Sequence, residues 1–556
     1  MVVSIAPHLR ESYRLWRRFS LPIAGGTRDA YSVPNYVANQ LLSAYTIMVT
    51  SMVMNLWCIF FAIGFYMMLK RRDKPHIVST SLWNKRASLT DSFLELIQPS
   101  ATGHAHKDHW RQWWIYPVIF VVVICWIAQN VLSIIVPPYI LIGNGAPVNP
   151  NAILALSDED TSNVAKAKVF SLDVPAALRA VGSAQVASKD VLNKATVSQS
   201  LLNKLPNGES MLQIDYSYTV TGADLGLQNY PTLLLSVTGA CTTEYNWLIS
   251  SEKDETFGYI TDTYAKFGNK SNPVSVNIID GPAPIAYFYP GPAAPGGPPG
   301  NRTWAAIISS VDRQSFTAGT DPIYATTNLA DTAAGTGSVV KPKRPALSCW
   351  QRDEWIYEGQ STIITDLDSA HIPGLDLSIG MQNILARYLG GQKVVDIGRQ
   401  LGLSNLLSST TSLGTIFDAG ASSAFSDLHR LILAAYIATT NTLTDLTLYP
   451  PNAADGAVAI GNLALDDNGN PQPGVGDFVI WSTDISTLSI KSLIIIPVLS
   501  LVFWLLALGL LTWSPLKSVN ALDATVLHRT LEEKYPEARP HAGKRGSSWI
   551  GTFLHL

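Results

Sequence analysis

The chain has 556 residues, of which 47% are hydrophobic and only 15% are charged, and its formal net charge is −3. Soluble globular proteins carry about 25% charged residues, so this deficit indicates long uncharged segments. The sequence contains no basic stripe of the kind that binds nucleic acid and no phosphate-binding glycine loop. These features favour a membrane protein without a nucleic-acid partner.

The N-terminal segment, residues 1–40, lacks the apolar region of a cleavable signal peptide. It contains four arginines, Arg10, Arg14, Arg17 and Arg18. Because a long apolar segment follows directly, we expect that segment to act as an uncleaved membrane anchor.

Three uncharged apolar segments, residues 41–69, 113–142 and 492–514, predict transmembrane helices. A bilayer core needs about 20 apolar residues as helix, and a helix satisfies its own backbone polar groups. Aromatic residues near the segment ends, such as Trp113 and Trp513, are typical of membrane interfaces. A buried core helix is the alternative, but such helices rarely reach this length without a charge. The lack of Asp, Glu, Lys, Arg and His in these segments disfavours transport.

Flanking charge predicts the orientation of these helices. The loop at residues 70–112 contains eight Lys or Arg residues and the tail at residues 515–556 contains six, so the positive-inside rule places both in the cytosol. Residues 143–491 are then extracytosolic; from Asn144 to Lys491 they carry 20 basic and 32 acidic residues, a net charge of −12. With three spans, residues 1–40 share that side, although their arginines favour the cytosol. A shallow interfacial helix or a different number of spans would explain this conflict.

The cytosolic loop contains the sequence SLWNKRASLTDSFLELIQP, which predicts a short amphipathic helix stopped by Pro99. Such a helix lies on the membrane surface or packs against a span or another protein.

Two of the four cysteines, Cys241 and Cys349, lie in the large middle segment. In an oxidising compartment an isolated pair predicts a disulfide, although two unrelated buried thiols are the alternative. The same segment contains two glycosylation sequons, at Asn269 and Asn301. Cysteines and sequons therefore agree with the topology that the charges predict.

The middle segment combines strand and helix patterns. Apolar side chains alternate from Leu212 to Val220, which predicts a half-buried strand, and further short strands follow, with Cys241 at the end of one of them. Helical spacing appears around Met381, and Ser426 is a suitable N-cap for a later helix. Residues 160–203 also favour helix. The predicted fold class is an α-helical membrane protein with three transmembrane helices and a large α+β extracytosolic domain, β-rich in its centre and helical at its flanks.

The sequence contains only weak patterns for a metal site or a catalytic site. His104, His106 and His109 cluster without a recognised metal-ligand spacing, and residues 466–477 resemble a calcium loop only in part, which favours a turn. Among the acidic residues, Asp353 and Glu354 are the first candidates for paired carboxylates. The sequence assigns no catalytic residue, no metal site and no cofactor.

The chain resembles uncharacterised multi-span membrane proteins of filamentous ascomycete fungi with a large extracytosolic domain. The resemblance rests on SLWNKRASLTDSFLELIQP, CTTEYNW, LSCWQRDEWIYEG and the last apolar segment. It implies a fungal plasma-membrane or endomembrane location, and it assigns no catalytic residues to this chain.

These observations predict an integral membrane glycoprotein in which a large extracellular or lumenal domain binds or scaffolds. Its partners would be the lipid bilayer and an extracellular or lumenal ligand or protein. The alternative is a membrane-anchored hydrolase that acts on cell-wall or secretory substrates.

Overall fold

The computed structural model describes residues 10–71, 115–157, 162–206, 208–253, 256, 260–278, 283–293, 300–329, 337–342, 344–364, 367, 371–411, 416–449 and 461–512. The predicted amphipathic helix before Pro99, the three clustered histidines and the tail at residues 515–556 lie outside these ranges. The chain divides into two compact units. The first comprises Met1–Asn35 with Gly143–Thr487, and the second comprises Tyr36–Ile142 with Leu488–Leu556.

The helices of the described residues are α1 (Asn35–Arg71), α2 (Ile115–Ile140), α3 (Asn163–Gln185), α4 (Lys189–Leu192), α5 (Gly222–Leu225), α6 (Ile379–Leu389), α7 (Lys393–Leu401), α8 (Ala424–Asp445) and α9 (Ile490–Thr512). Short 3-10 helices occupy Arg10–Ser12, Pro150–Ala152, Lys266–Gly268, Gly402–Ser404 and Ser408–Thr411.

The strands are β1 (Arg18–Ile23), β2 (Gly26–Pro34), β3 (Leu141–Gly143), β4 (Gly145–Pro147), β5 (Ala195–Lys204), β6 (Ser210–Thr221), β7 (Leu234–Glu244), β8 (Leu248–Lys253), β9 (Ile260–Tyr264), β10 (Val274–Ile278), β11 (Ile285–Ala293), β12 (Asn301–Ser309), β13 (Gln314–Ser315), β14 (Thr326–Leu329), β15 (Gly337–Val340), β16 (Ala346–Tyr357), β17 (Gln360–Ile363), β18 (Val479–Trp481) and β19 (Ile485–Ser489).

The second unit contains the three predicted apolar helices, α1, α2 and α9. Their segments Asn35–Gly64, Ile119–Ile140 and Ile490–Leu510 are long and apolar enough to cross a membrane. Many of their apolar side chains do not pack against the rest of the protein. Ile134 is 74% exposed and Ile494 is 59% exposed. The first helix begins at Asn35, earlier than predicted, because no charge or proline interrupts the residues before the apolar segment.

The N-terminal residues belong to the first unit, together with the large middle segment. Strands β1 and β2 form an antiparallel hairpin in a four-stranded sheet with the order β1-β2-β19-β3. The Arg14 amide donates to the carbonyl of Pro147 at 2.9 Å, and the Ser12 hydroxyl donates to that of Thr447 at 2.9 Å. The suggested shallow interfacial helix is therefore wrong for residues 10–34, because Arg18–Pro34 form the hairpin and the helix before it is the single 3-10 turn Arg10–Ser12.

A seven-stranded antiparallel sheet forms the centre of the first unit, with the order β11-β12-β16-β7-β6-β5 and β17 paired to β16. The alternation predicted for β6 is confirmed, since every second side chain is buried: Leu212, Ile214, Tyr216, Tyr218 and Val220. Smaller sheets in the described residues have the orders β10-β9-β8, β13-β15-β14 and β18-β4.

Helices flank this sheet, as predicted, but two details differ. Helix was predicted for residues 160–203, but α3 ends at Gln185. Residues Ala195–Lys204 form strand β5 instead, because the edge of the sheet offers them backbone partners on β6. The cap of α8 is Ser423, whose hydroxyl accepts the amide of Ser426 at 3.1 Å. Gly390 is the C-cap of α6.

Helix α8 is buried along almost its whole length, although it contains several threonines. The hydroxyls of Thr439 and Thr442 donate to carbonyls one turn earlier, Ala435 at 2.7 Å and Ala438 at 2.8 Å. This local bonding satisfies polar groups that would be costly to bury unpaired. The helix can therefore lie between the large sheet and the other helices, and its C-terminal end helps to form the pocket described next.

Candidate functional site

A pocket of about 500 Å³ lies between α3, α7 and the C-terminal half of α8. Each helix contributes residues at helical spacing, which places them on one face. On α7 the lining residues Lys393, Asp396 and Gln400 follow this spacing, while the opposite face is apolar and buried. On α3 the lining residues include Lys166 and Asp173, seven residues apart. The pocket therefore has a polar lining built on helices that the apolar core holds in place.

The lining contains seven charged side chains of both signs: Lys166, Arg387, Lys393, Arg399, Asp173, Asp396 and Asp445. These charged side chains differ in their exposure to solvent. Asp445 is buried at 6% exposure, whereas Lys166 and Arg399 are exposed. The most buried charge of the lining is therefore a carboxylate, and two cations lie at its rim.

Two of the carboxylates have defined partners. The Arg179 guanidinium forms an ion pair with Asp445 at 2.8 Å, and the Tyr449 hydroxyl donates to Asp173 at 2.8 Å. Burial raises the pKa of Tyr449, and the nearby charge of Asp173 raises it further. Tyr449 therefore stays a neutral donor to the Asp173 carboxylate.

Lys393 is the cation common to all three carboxylates. Burial raises the pKa of Asp173, Asp396 and Asp445, and the charge of Lys393 opposes that rise in each case. The Lys393 amino group also donates to the carbonyl of Tyr388 at 3.2 Å. The charge of Lys393 therefore favours the ionised form of the three carboxylates, against the burial that disfavours it.

The two predicted disulfide residues lie opposite each other on the central strands β7 and β16, and the structure contains the Cys241–Cys349 bond. Both residues are buried, at 0% and 2% exposure. The expectation that Cys241 ends its strand is wrong, because β7 continues to Glu244, which pairs with Ala346.

The two sequons occupy different environments. Asn269 is exposed and follows a short 3-10 helix, and its side-chain oxygen accepts the amide of Ser271 at 2.9 Å. Asn301 begins β12 opposite Arg352, is half-buried, and has a buried side-chain oxygen without a hydrogen-bond partner among the described residues. Asn269 is therefore the more accessible acceptor.

The candidate pair Asp353 and Glu354 does not form a two-carboxylate site. Neighbouring residues of a strand point to opposite faces, and only Asp353 is buried. Asp353 forms an ion pair with Arg302 and accepts a hydrogen bond from Gln351 at 2.8 Å, whereas Glu354 pairs with Arg352. Burial raises the pKa of Asp353, and the Arg302 charge partly offsets this. These contacts indicate a structural role.

The expectation of a turn at residues 466–477 agrees with the structure. The Asp466 carboxylate accepts the amides of Asn468 and Asn470 at 2.9 and 2.8 Å. Across the described ranges, no group of three or more His, Cys, Asp or Glu side chains is arranged to hold a metal ion.

Sequence reasoning missed the pocket, because its charged residues come from segments far apart in the chain. One local signal was present on α7, where Lys393, Asp396 and Gln400 interrupt an apolar pattern at helical spacing. A second was Asp445 at the end of an otherwise uncharged run from Leu431.

Comparison with known families gives one match. A family model described as a domain of unknown function, DUF8406, matches residues 174–480, which is more than half of the chain. The chain belongs to the DUF8406 family. The matched residues include the central sheet and most of the pocket lining, so both lie in the part of the chain that defines the family. Searches of curated proteins and of solved structures gave no match.

Proposed function

We propose that this DUF8406 protein is an integral membrane protein whose large domain lies outside the cytosol and binds a ligand in the pocket between α3, α7 and α8. The proposed location is the plasma membrane or an endomembrane, with the domain extracellular or lumenal. The observation that carries the binding role is the pocket itself. It has the volume of a small-molecule site, and charged groups converge in it on rigid helices.

The proposed topology is supported by independent features. Basic residues concentrate in residues 70–112 and 515–556, and the Cys241–Cys349 disulfide is typical of an oxidising compartment. Three spans require the N-terminus and the large domain to share a side, and residues 10–34 belong to the same compact unit as that domain. This shared unit agrees with an odd number of spans, which outweighs the preference of the N-terminal arginines for the cytosol. We further propose that the domain carries an N-linked glycan, with Asn269 as its acceptor.

Protease protection of sealed membrane vesicles tests the topology. With the cytosolic face outward, we expect trypsin to remove the tail after residue 515 and to leave the large domain intact. After detergent is added, we expect trypsin to digest the domain. Digestion of the domain in sealed vesicles would contradict the proposal.

A thermal-shift panel tests the binding role on full-length protein in nanodiscs. The panel contains neutral sugars, organic anions, organic amines and short peptides. We expect at least one class to raise the melting temperature of the natural protein and of Ala167→Trp, which lies on α3 outside the pocket lining. We expect Ala176→Trp, which fills the pocket, to abolish that shift. If no class shifts either protein, the binding role is wrong.

A hydrolytic function is the second candidate, because three aspartates line one cleft and a pair of carboxylates is the usual machinery of glycoside hydrolysis. Against it, Asp445 is already paired with Arg179 and Asp173 with Tyr449. Hydrolysis of cell-wall polysaccharide fragments that is lost in Asp396→Asn and kept in Asp467→Asn, at an exposed site outside the pocket lining, would establish the hydrolase and overturn pure binding.

A further inference from the structure

The charge of the pocket differs from that of the domain around it. From Asn144 to Lys491 the chain carries 20 basic and 32 acidic residues, so acids outnumber bases. Among the described residues of the pocket lining, by contrast, cationic side chains outnumber carboxylates by four to three. The domain as a whole is acidic and repels anions. A local excess of cations therefore indicates that the pocket attracts them.

The excess of cations is larger when a carboxylate that already forms an ion pair is left out of the count. Arg179, which lies outside the lining, neutralises Asp445 at 2.8 Å. Among the described lining residues, four cations then face two carboxylates, Asp173 and Asp396.

The identity and position of the cations suit a carboxylate or a phosphate group. Two of the four are arginines, whose planar guanidinium forms paired hydrogen bonds with such groups. Arg399 and Lys166 are exposed at the rim, where an entering ligand first meets the protein, and Arg387 and Lys393 are half-buried behind them.

The uncharged part of the lining suits hydroxyl groups. Gln400, Thr442 and Tyr449 place amide and hydroxyl groups in the pocket, and the side chain of Phe170 is 45% exposed beside them. Such groups bond ligand hydroxyls, and an aromatic ring can cover the apolar face of a sugar-sized ring. A volume of about 500 Å³ accommodates a ligand of that size.

We propose that the pocket binds a small hydroxylated organic anion, such as a sugar acid or a sugar phosphate, whose charged group contacts Arg387, Lys393 and Arg399. This inference rests on the proposed binding function and names its ligand class. Carboxylate and phosphate sources share the required chemistry, and the experiment separates them.

Titration calorimetry on the full chain in nanodiscs tests the proposal with four probes: glucuronate, glucose 6-phosphate, glucose and glucosamine. We expect one or both anions to bind at least tenfold more tightly than glucose and glucosamine, and the stronger anion to identify the charged group. Because ion pairing is screened by salt, we expect the anion affinity to fall between 50 and 300 mM NaCl.

Variants assign the binding to the pocket. Arg399→Gln removes an exposed cation of the rim, and we expect it to weaken anion binding about tenfold. Arg28→Gln removes an exposed arginine from strand β2 and changes the net charge equally, so we expect affinity within twofold of the natural protein. Circular dichroism of both variants verifies that they are folded.

The outcomes separate the two proposals. Equal binding of glucose and glucuronate, or unchanged anion affinity in Arg399→Gln, overturns the anion assignment. If a neutral or cationic probe binds instead and Ala176→Trp abolishes that binding, the pocket still binds a ligand and only the ligand class is wrong. If none of the four probes binds, the anion assignment is overturned, and the thermal-shift panel then decides the binding function separately.

Discussion

Cys241 and Cys349 face each other directly across the antiparallel strands β7 and β16 and form the disulfide of the central sheet. They lie 108 residues apart in sequence, and strands β8 to β15 are formed by the chain between them. The bond therefore closes a long loop whose two ends already pair within one sheet.

Removing this bond is expected to destabilise the large domain strongly. The chain-entropy model gives about 4–5 kcal/mol for a loop of this length, since the reduced unfolded chain gains that freedom. We expect Cys241→Ala with Cys349→Ala to lower the free energy of unfolding by roughly this amount, measured by urea denaturation in detergent. The matched control is Cys58→Ala with Cys125→Ala, which removes two thiols that form no disulfide and so breaks no covalent link. Alkylation of Cys241 in native, unreduced protein would contradict the bond.

Glycosylation is expected at Asn269 and not at Asn301. Asn269 is exposed in a turn, whereas Asn301 is half-buried in β12 with its side-chain oxygen enclosed. We therefore expect Asn269→Gln to abolish the glycosidase-sensitive change in gel mobility and Asn301→Gln to leave it unchanged. A glycosidase-sensitive band that persists in Asn269→Gln and disappears only in Asn301→Gln would show that the assignment is reversed.

Substitution of two glycines is expected to act in opposite directions. A side chain at Gly239 would meet the Tyr216 ring at 2.4 Å and the Trp350 carbonyl at 2.6 Å, so Gly239→Ala overpacks the central sheet. We expect it to cost about 2–3 kcal/mol of unfolding free energy. Gly182 has open space around it within α3, so Gly182→Ala should stabilise by about 0.5–1 kcal/mol. Thermal melts of both variants test this, and equal melting temperatures would contradict the packing argument.

Domain stability is expected to fall as pH rises from about 4 to 6, in part through Asp427. Burial raises the pKa of Asp427 to about 6, although Tyr324 and Ser408 donate hydrogen bonds to it at 2.5 and 2.9 Å. Between pH 3.8 and about 6 the unfolded chain has lost this proton while the folded domain keeps it. Rising pH therefore favours unfolding in that window, by roughly 3 kcal/mol in total, with no further change above it.

Asp427→Asn isolates this contribution, because an amide has the same shape and does not titrate. We expect the difference in unfolding free energy between the variant and the natural protein to increase from pH 4 to pH 6 and then to level off. The charged neighbours Asp321 and Arg430 remain in both proteins, so the part of their titration that does not depend on the Asp427 charge cancels in the difference. A difference that does not vary with pH would show that Asp427 is ionised throughout.

Sequence patterns predicted the features that depend on local periodicity or composition. The three apolar helices and the alternating strand β6 follow directly from runs of residues that are contiguous in the chain. The Cys241–Cys349 pair followed from the small number of cysteines in one segment and the inferred compartment.

The features that depend on distant pairing were not predictable in this way. Strand β5 was expected to be helical, and only its partner β6 makes it a strand. The pocket brings together Asp173, Lys393 and Asp445, which are separated by more than 200 residues at the extremes and carry no shared pattern. Asp353 and Glu354 looked paired only because they are adjacent in sequence, and the pleat of the strand separates them.

The four-stranded sheet has a consequence for biosynthesis. Its hairpin, β1 with β2, comes from the start of the chain, while β19 ends only at Ser489. The ribosome therefore synthesises β1 and β2 long before β19. Until nearly the whole polypeptide has been made, the edge of β2 that pairs with β19 has no partner strand. A chain that terminates before β19 therefore leaves its N-terminal hairpin without the strand that pairs with β2 in this sheet.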